Sequence, residues 1–436
     1  MSAPPSSIPM TLRQLVERIK QSGYLKNVSR LSIGTIIGQA IAVLLLPIVT
    51  RLYDSADYGI AATLNAMVMI ASSTIMLRMD SAIVLADSDD QAAKIIRFCG
   101  QLILGFAIVV AISAVVFYGL ALDLGFFPKG GPLYFWLPVW VILGAGNILL
   151  ASWANRYAAY RVLSFSRALP PLLAFIVMLS MYSWQGSTIT GLVLGHISAA
   201  ITLYITIFFG LRHEGKPIRH LAVDWADIRN LLKRFKQFPT YGLLMTFLDQ
   251  LTASLPLLIF TASFSPHDAA CFALATNVLR LPSTVIGQGV AQVFYEMSAK
   301  LSEDATLLRS FVINNIKFLS FFSFPFLIII VAAGPWLFEW VFGAAWRDAG
   351  EYARSLVIAI AVNLVASPVS MISSVIRKQR MHFVISLLSF AIRAAMIGIG
   401  VTSGSAYTTV ILYSIGEAMM LIVFLIWVVR SVRMRA

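Results

Sequence analysis

The apolar residues of this chain come in runs long enough to cross a lipid bilayer, one after another, with short connections between them. The runs extend over Val28 to Thr50, Tyr58 to Leu85, Phe98 to Leu122, Leu133 to Asn155, Ala168 to Trp184 and Thr188 to Leu211. They continue over Phe238 to Ala262, Ala269 to Met297, Phe311 to Ala333, Tyr352 to Ile376, Phe383 to Thr402 and Tyr407 to Val429. Each is near or above the ~20 residues that a helix rising ~1.5 Å per residue needs to cross ~30 Å of hydrocarbon. Because that interior holds no water for an open backbone, the runs must be helices. A hydrophobic fraction of 59% beside 12% charged residues, with a mean hydropathy of +0.83, excludes an ordinary soluble domain. The expected fold is therefore an all-α polytopic membrane protein with about twelve transmembrane helices.

A net charge of +13 would suit a nucleic-acid partner, but the basic residues follow topology instead. Arg13, Arg18, Lys20 and Lys26 precede the first run, Arg156, Arg161 and Arg167 follow the fourth, and Arg430, Arg433 and Arg435 end the chain. Seven more, from Arg212 to Lys236, lie between the sixth and seventh runs, while the alternate connections hold little beyond Arg51, Lys129 and Arg347. By the positive-inside rule both termini are cytoplasmic, and no nucleic acid is expected as a partner. Residues 1–27 carry charge and an amphipathic run (Leu12, Leu15, Val16, Ile19) but no apolar signal core, so the first span is expected to act as an uncleaved signal. Cys99 and Cys271 both fall in apolar runs and read as packing residues.

An internal match recurs at an offset of about 212 residues. Asp54-Ser-Ala-Asp57-Tyr-Gly59 opens the second run and Ser265-Pro-His-Asp268-Ala-Ala270 the eighth. Ser88-Asp-Asp90 with Arg97 leads into the third, and Ser302-Glu-Asp304 with Arg309 into the ninth. Chance recurrence of acidic turns would leave the same trace. Duplication predicts two six-helix bundles, residues 28–211 and 238–429, joined by a basic cytoplasmic connection at 212–237 and followed by a basic tail at 430–436. An even number of spans per copy gives both the same orientation, so the bundles are related by an axis along the membrane normal, with a site expected between them.

The eighth run carries Asn277, Arg280, Thr284, Gln288 and Gln292 at steps of three and four, which puts them on one helical face. Such a stripe is costly against lipid, so it faces water or the other bundle, unless it only bonds neighbouring helices. Pro282 within it invites a kink. Asp249 on the seventh run sits at the depth of Arg280, and Arg393 on the eleventh matches Glu417 on the twelfth. Four mid-membrane charges exposed to lipid would cost on the order of 10 kcal/mol, so they are paired or hydrated. Structural ion pairs and functional groups both satisfy that requirement. On the second run Arg78 and Asp80 are two residues apart and should point opposite ways, with Asp80 sharing a face with Asn65 and Ser72. Gly34 and Gly38 form a small-residue face, and His196 reads as a packing residue. No Gly-x-x-x-x-Gly-Lys loop and no metal-ligand spacing occurs, so no cofactor or metal is expected.

Particular strings resemble one family. They are Pro47-Ile-Val-Thr-Arg-Leu-Tyr53 running into Asp57-Tyr-Gly59, Arg78-Met-Asp-Ser-Ala-Ile-Val84 before Asp87 to Asp90, and Phe238-Pro239-Thr-Tyr241. Leu281-Pro282 with Gln292-Val-Phe294, Val341-Phe-Gly343 with Trp346-Arg-Asp-Ala-Gly350, and Ala366-Ser-Pro368 follow. In order and spacing these are similar to the Wzx-type polysaccharide biosynthesis proteins, the O-antigen and exopolysaccharide repeat-unit flippases of the multidrug/oligosaccharidyl-lipid/polysaccharide exporter superfamily. The eighth run departs from the pattern, opening with Ala270-Cys271 where a glycine is expected.

The resemblance implies a bacterial inner-membrane protein whose two bundles surround a cavity lined by the first, second, seventh and eighth spans. It implies transfer of an undecaprenyl-pyrophosphate-linked oligosaccharide to the outer leaflet, with H+ or Na+ as coupling ion and a polysaccharide polymerase and glycosyltransferases as protein partners. The cationic role toward pyrophosphate falls to Arg280 first and Arg393 second. Sugars would lie against Asn277, Thr284, Gln288 and Gln292, with Asp249 pairing Arg280 in the empty state and Asp249, Glu417 and Asp80 as coupling or pairing carboxylates. Two rivals stand beside this reading: an organic-cation exporter of the same superfamily, and an integral-membrane glycosyltransferase or polymerase using Glu339, Asp348 or Glu351 in the longest outer connection.

Overall fold

A computed structural model of the chain describes residues 23–119, 131–216, 218, 223–301, 304–376 and 378–433. The amphipathic run at Leu12 to Ile19 lies outside the described residues. Among those described, every regular element is helical. The first half runs α1 (Gly23–Leu52), α2 (Ser55–Thr74), α3 (Met79–Leu85), α4 (Asp89–Gly119), α5 (Leu137–Arg156), α6 (Tyr160–Ala168), α7 (Pro170–Gln185) and α8 (Ile189–His213). A short helix, α9 (Trp225–Arg234), follows in the connection. The second half runs α10 (Leu243–Ser263), α11 (Pro266–Lys300), α12 (Ala305–Phe342), α13 (Arg347–Val369), α14 (Ile372–Val375), α15 (Gln379–Thr402) and α16 (Ala406–Arg433).

Among the described residues, ten helices or helical runs are long and apolar enough to cross a membrane, or eleven when a bent pair counts as one span. The remaining expected span coincides with α11, a helix of 35 residues that continues through Pro282. Two expected spans need correction. The second is broken rather than continuous: α2 and α3 meet at a bend of 48°. Leu77 (φ 53°) and Arg78 (φ 59°) occupy the left-handed region at the break, a conformation that costs side chains other than glycine roughly 1–2 kcal/mol each. The fifth span starts earlier than expected, since α6 and α7 form one run from Tyr160 to Gln185. That extension carries Arg161 and Arg167 into the helical run.

The two halves meet mainly at the end of the molecule away from the basic connections. There α2 packs on α10 and α11, and α1 on α12. Thr63 Oγ1 lies 2.6 Å from Thr261 Oγ1 and Ser55 Oγ 2.7 Å from His267 Nδ1. Trp346 Nε1 donates to the Thr50 carbonyl at 2.8 Å, and Arg51 Nη2 to that of Trp340 at 2.6 Å.

Close approach at this seam depends on Gly59, where a Cβ would lie 2.0 Å from the Pro266 carbonyl oxygen. Backbone cannot yield as a flexible side chain can. Gly59→Val is therefore expected to cost about 1–3 kcal/mol through overpacking and to lower the melting temperature; a variant melting with wild type would show the seam to be loose. Gly34 and Gly38 fill the small-residue role expected of them, their missing Cβ atoms facing the backbone of Ser164 and Arg167 on α6.

At the basic end, α9 docks on the first half. Leu231 and Phe235 are buried in a core with Met79, Ile83 and Ile95. Lys94 Nζ donates to Asp227 Oδ1 at 2.7 Å, and Arg234 pairs with Asp87. The hydrogen bond from Lys94 holds the Asp227 carboxyl below the usual carboxylate range. A group depressed on folding stabilises above its unfolded pKa and loses that contribution as pH falls through the lower folded value. The docking should thus persist at mildly acidic pH and weaken only below the ordinary aspartate range, which hydrogen exchange of α9 amides against pH would report.

Candidate functional site

Between the halves, α1, α6, α7 and α11 enclose a cavity of about 610 Å³. Arg280, Asn277 and Thr284 of the polar stripe project into it, as the sequence predicts. Opposite them stand Thr35 and Gln39 of α1 and Arg167 of α6, whose Nη1 donates to Thr35 Oγ1 at 2.8 Å. Two guanidinium groups, one from each half, therefore face a single cavity that no carboxylate lines among the described residues. Neither makes an ion pair among those residues, so both keep donors for an anion. Gln288 and Gln292 continue the stripe along α11, but their side chains lie outside the described residues.

A second cavity of about 570 Å³ opens into the second half and shares Arg280 and Thr284 as a common wall. Asp249, Asn363, Ser367, Arg393 and Glu417 line it. Arg393 Nε and Glu417 Oε2 approach to 2.5 Å, with most of both side chains buried. The Nε–H is not aimed along the contact, so this is an ion pair rather than a linear hydrogen bond. The pairing read from matched depths is thus realised between α15 and α16.

The other expected pair is not formed. Asp249 and Arg280 line the same cavity without an ion pair between them. Matched depth fixes how far along its helix a group sits but not the direction it faces, which explains the miss. Asp249 and His382 both line a further pocket of about 270 Å³, where Ser373 Oγ lies 2.9 Å from His382 Nδ1. The expectation that Arg78 and Asp80 point opposite ways is corrected, and of the two roles offered for Asp80 the structure shows pairing. Asp80 is buried, lines none of these cavities, and pairs with Arg78 Nη1 at 3.7 Å because the helix break abolishes the spacing that would have set them apart. His196 stacks on Trp140 with centroids 5.5 Å apart, a packing role as expected.

Arg167 and His382 were not singled out from the sequence. The signal for Arg167 was available, since the expected fifth span was the shortest of the twelve and had to recruit flanking residues to cross. His382 offered none, lying at the edge of its span beside other basic residues.

The family described as "Polysaccharide biosynthesis protein" matches residues 48–351, well over half the chain. No curated protein sequence matches. Among solved structures, an inward-facing multidrug resistance MATE family transporter of the MOP superfamily superposes with a TM-score of 0.67 at 16% identity, covering 94% of this chain and 98% of that one. An outward-facing MATE transporter of that superfamily gives 0.58 at 14%, covering 94% and 95%. A MOP superfamily transporter from Pyrococcus furiosus, described by a binding pocket of reverse polarity, gives 0.59 at 14%, with the same coverage. These transporters share the fold of this chain, and the carboxylates named for the enzyme rival each face a basic residue: Glu339 pairs with Arg347, Glu351 with Arg354, and Asp348 with His267. With the MATE-like fold and the match over residues 48–351 together, the chain belongs to the polysaccharide biosynthesis protein family.

Proposed function

We propose that this protein is a flippase that carries a lipid-pyrophosphate-linked oligosaccharide, of the undecaprenyl type, from the cytoplasmic to the outer leaflet of a bacterial inner membrane. The observation that carries the reading is the pair Arg167 and Arg280, facing one cavity from opposite halves with no carboxylate between them. A pyrophosphate offers two phosphoryl groups, and a planar guanidinium grips each through bidentate charge-assisted bonds. Asn277, Gln39 and Thr284 supply neutral donors and acceptors suited to sugar hydroxyls. The prenyl chain is too long for this cavity and trails into lipid between the halves.

With both termini cytoplasmic, the seam at Ser55, Gly59 and Thr63 closes the outer end, and the cavity admits substrate from inside. Separating that seam while closing the basic end would deliver the head group outward. Asp249, which shares one cavity with Arg280 and a further pocket with His382, is the proposed coupling carboxylate for H+ or Na+. Glycosyltransferases act before this step and a polymerase after it.

The second reading, an organic-cation exporter, draws on the MATE-like fold and on Asp249 and Glu417 in the neighbouring cavity. The MOP superfamily transporter from Pyrococcus furiosus is likewise described by a binding pocket of reverse polarity that suggests a different function. A binding test separates the two. Undecaprenyl pyrophosphate at a hundredfold excess over its Kd should stabilise the purified protein by about 2.7 kcal/mol, whereas undecaprenol should not. Stabilisation by a hydrophobic cation alone would favour the exporter.

A further inference from the structure

Helix α9 presents a second face that the transport cycle leaves unused. Its inner face is committed: Leu231 and Phe235 are buried, Asp227 is held by Lys94 and Arg234 by Asp87. On the other face Trp225, Arg229 and Lys233, with Lys236 just past the helix end, follow one another at helical spacing, and together with the outer sides of Ile228 and Leu232, which also pack partly on the core, they wall a groove of about 600 Å³. Trp225 is 79% exposed, an unfavourable state for an indole in water but an ordinary one at the level of lipid head groups. None of the three cations has an ion-pair partner among the described residues. The only carboxylates on the helix and its cap are Asp224, which accepts from the Asp227 backbone N–H, and Asp227 itself.

We propose that this face of α9 is a binding site for an anionic phospholipid head group of the leaflet on the basic side of the protein. Arg229, Lys233 and Lys236 would hold the phosphate, while Trp225 sits at the interface and Ile228 and Leu232 meet the first methylenes of the acyl chains. The amphiphilic walls favour a lipid over free phosphate, since a soluble anion has no use for the apolar residues. An anionic surface attracts juxtamembrane basic residues in this way, and a helix with one apolar and one basic aspect lies in its plane. Because α9 joins the two halves, lipid bound there would fix its height relative to the bilayer. The proposal uses none of the residues assigned to transport and stands or falls apart from the flippase reading.

The test is lipid retention by the purified full-length protein in a neutral detergent, read by native mass spectrometry with phosphatidylglycerol and phosphatidylcholine of the same acyl chains. The wild type should retain phosphatidylglycerol preferentially and release it as salt rises. The triple variant Arg229→Gln/Lys233→Gln/Lys236→Gln should lose roughly a hundredfold in affinity for it, with its melting temperature unchanged because all three side chains are exposed. Three results would each overturn the proposal: equal retention of the two lipids by wild type, undiminished phosphatidylglycerol binding by the triple variant, or displacement of the lipid by inorganic phosphate at equal concentration. The salt dependence of the wild type decides the matter even if the triple variant folds poorly.

Discussion

Arg280→Ala should abolish transfer of the lipid-linked oligosaccharide while leaving the amount of folded protein in the membrane unchanged. Arg280 lines the central cavity and has no ion-pair partner among the described residues, so its removal strands no buried carboxylate. What it removes is a charge-assisted contact with phosphate. Truncating one partner of such a pair typically costs 2–5 kcal/mol, which corresponds to a loss of roughly thirtyfold or more. Arg167→Ala should act in the same direction. Arg280→Lys, which keeps the charge but not the planar fork, should retain part of the activity. Transfer rates at matched protein amounts check all three, and loss of folded protein in Arg280→Ala would instead assign the residue to packing.

Arg393→Ala should behave in the opposite manner, by destabilising the fold. Its removal leaves Glu417, almost wholly enclosed between α15 and α16, without the cation that balances it. Breaking a buried ion pair from one side costs about 3–5 kcal/mol, whereas replacing both partners by apolar residues is often close to neutral. The single variant should therefore melt well below wild type, and Arg393→Leu/Glu417→Leu should recover most of the difference. If the single variant melts like wild type, the carboxylate is hydrated through the adjoining cavity and the pair is not structural.

Much of this architecture was legible in the sequence because a bilayer leaves few choices, and length and apolarity alone located most of the spans. The break in the second span was hidden, since Leu77 and Arg78 adopt left-handed backbone without the glycine or asparagine that usually announces it. That break also undid the periodicity argument for Arg78 and Asp80. Around the cavity, helical spacing identified Asn277, Arg280 and Thr284 because they share one helix. Arg167 and the Asp249–His382 neighbourhood depend on how separate helices are rotated against one another, which no local pattern encodes.

The most direct measurement is transbilayer movement of a fluorescent undecaprenyl-pyrophosphate oligosaccharide in proteoliposomes holding the wild-type protein, under imposed proton and sodium gradients, beside an organic cation in parallel vesicles. The account predicts that the lipid-linked sugar crosses, that one of the two gradients accelerates it, and that the organic cation stays behind. Movement of the cation with none of the lipid-linked sugar would contradict it and make the protein a drug exporter.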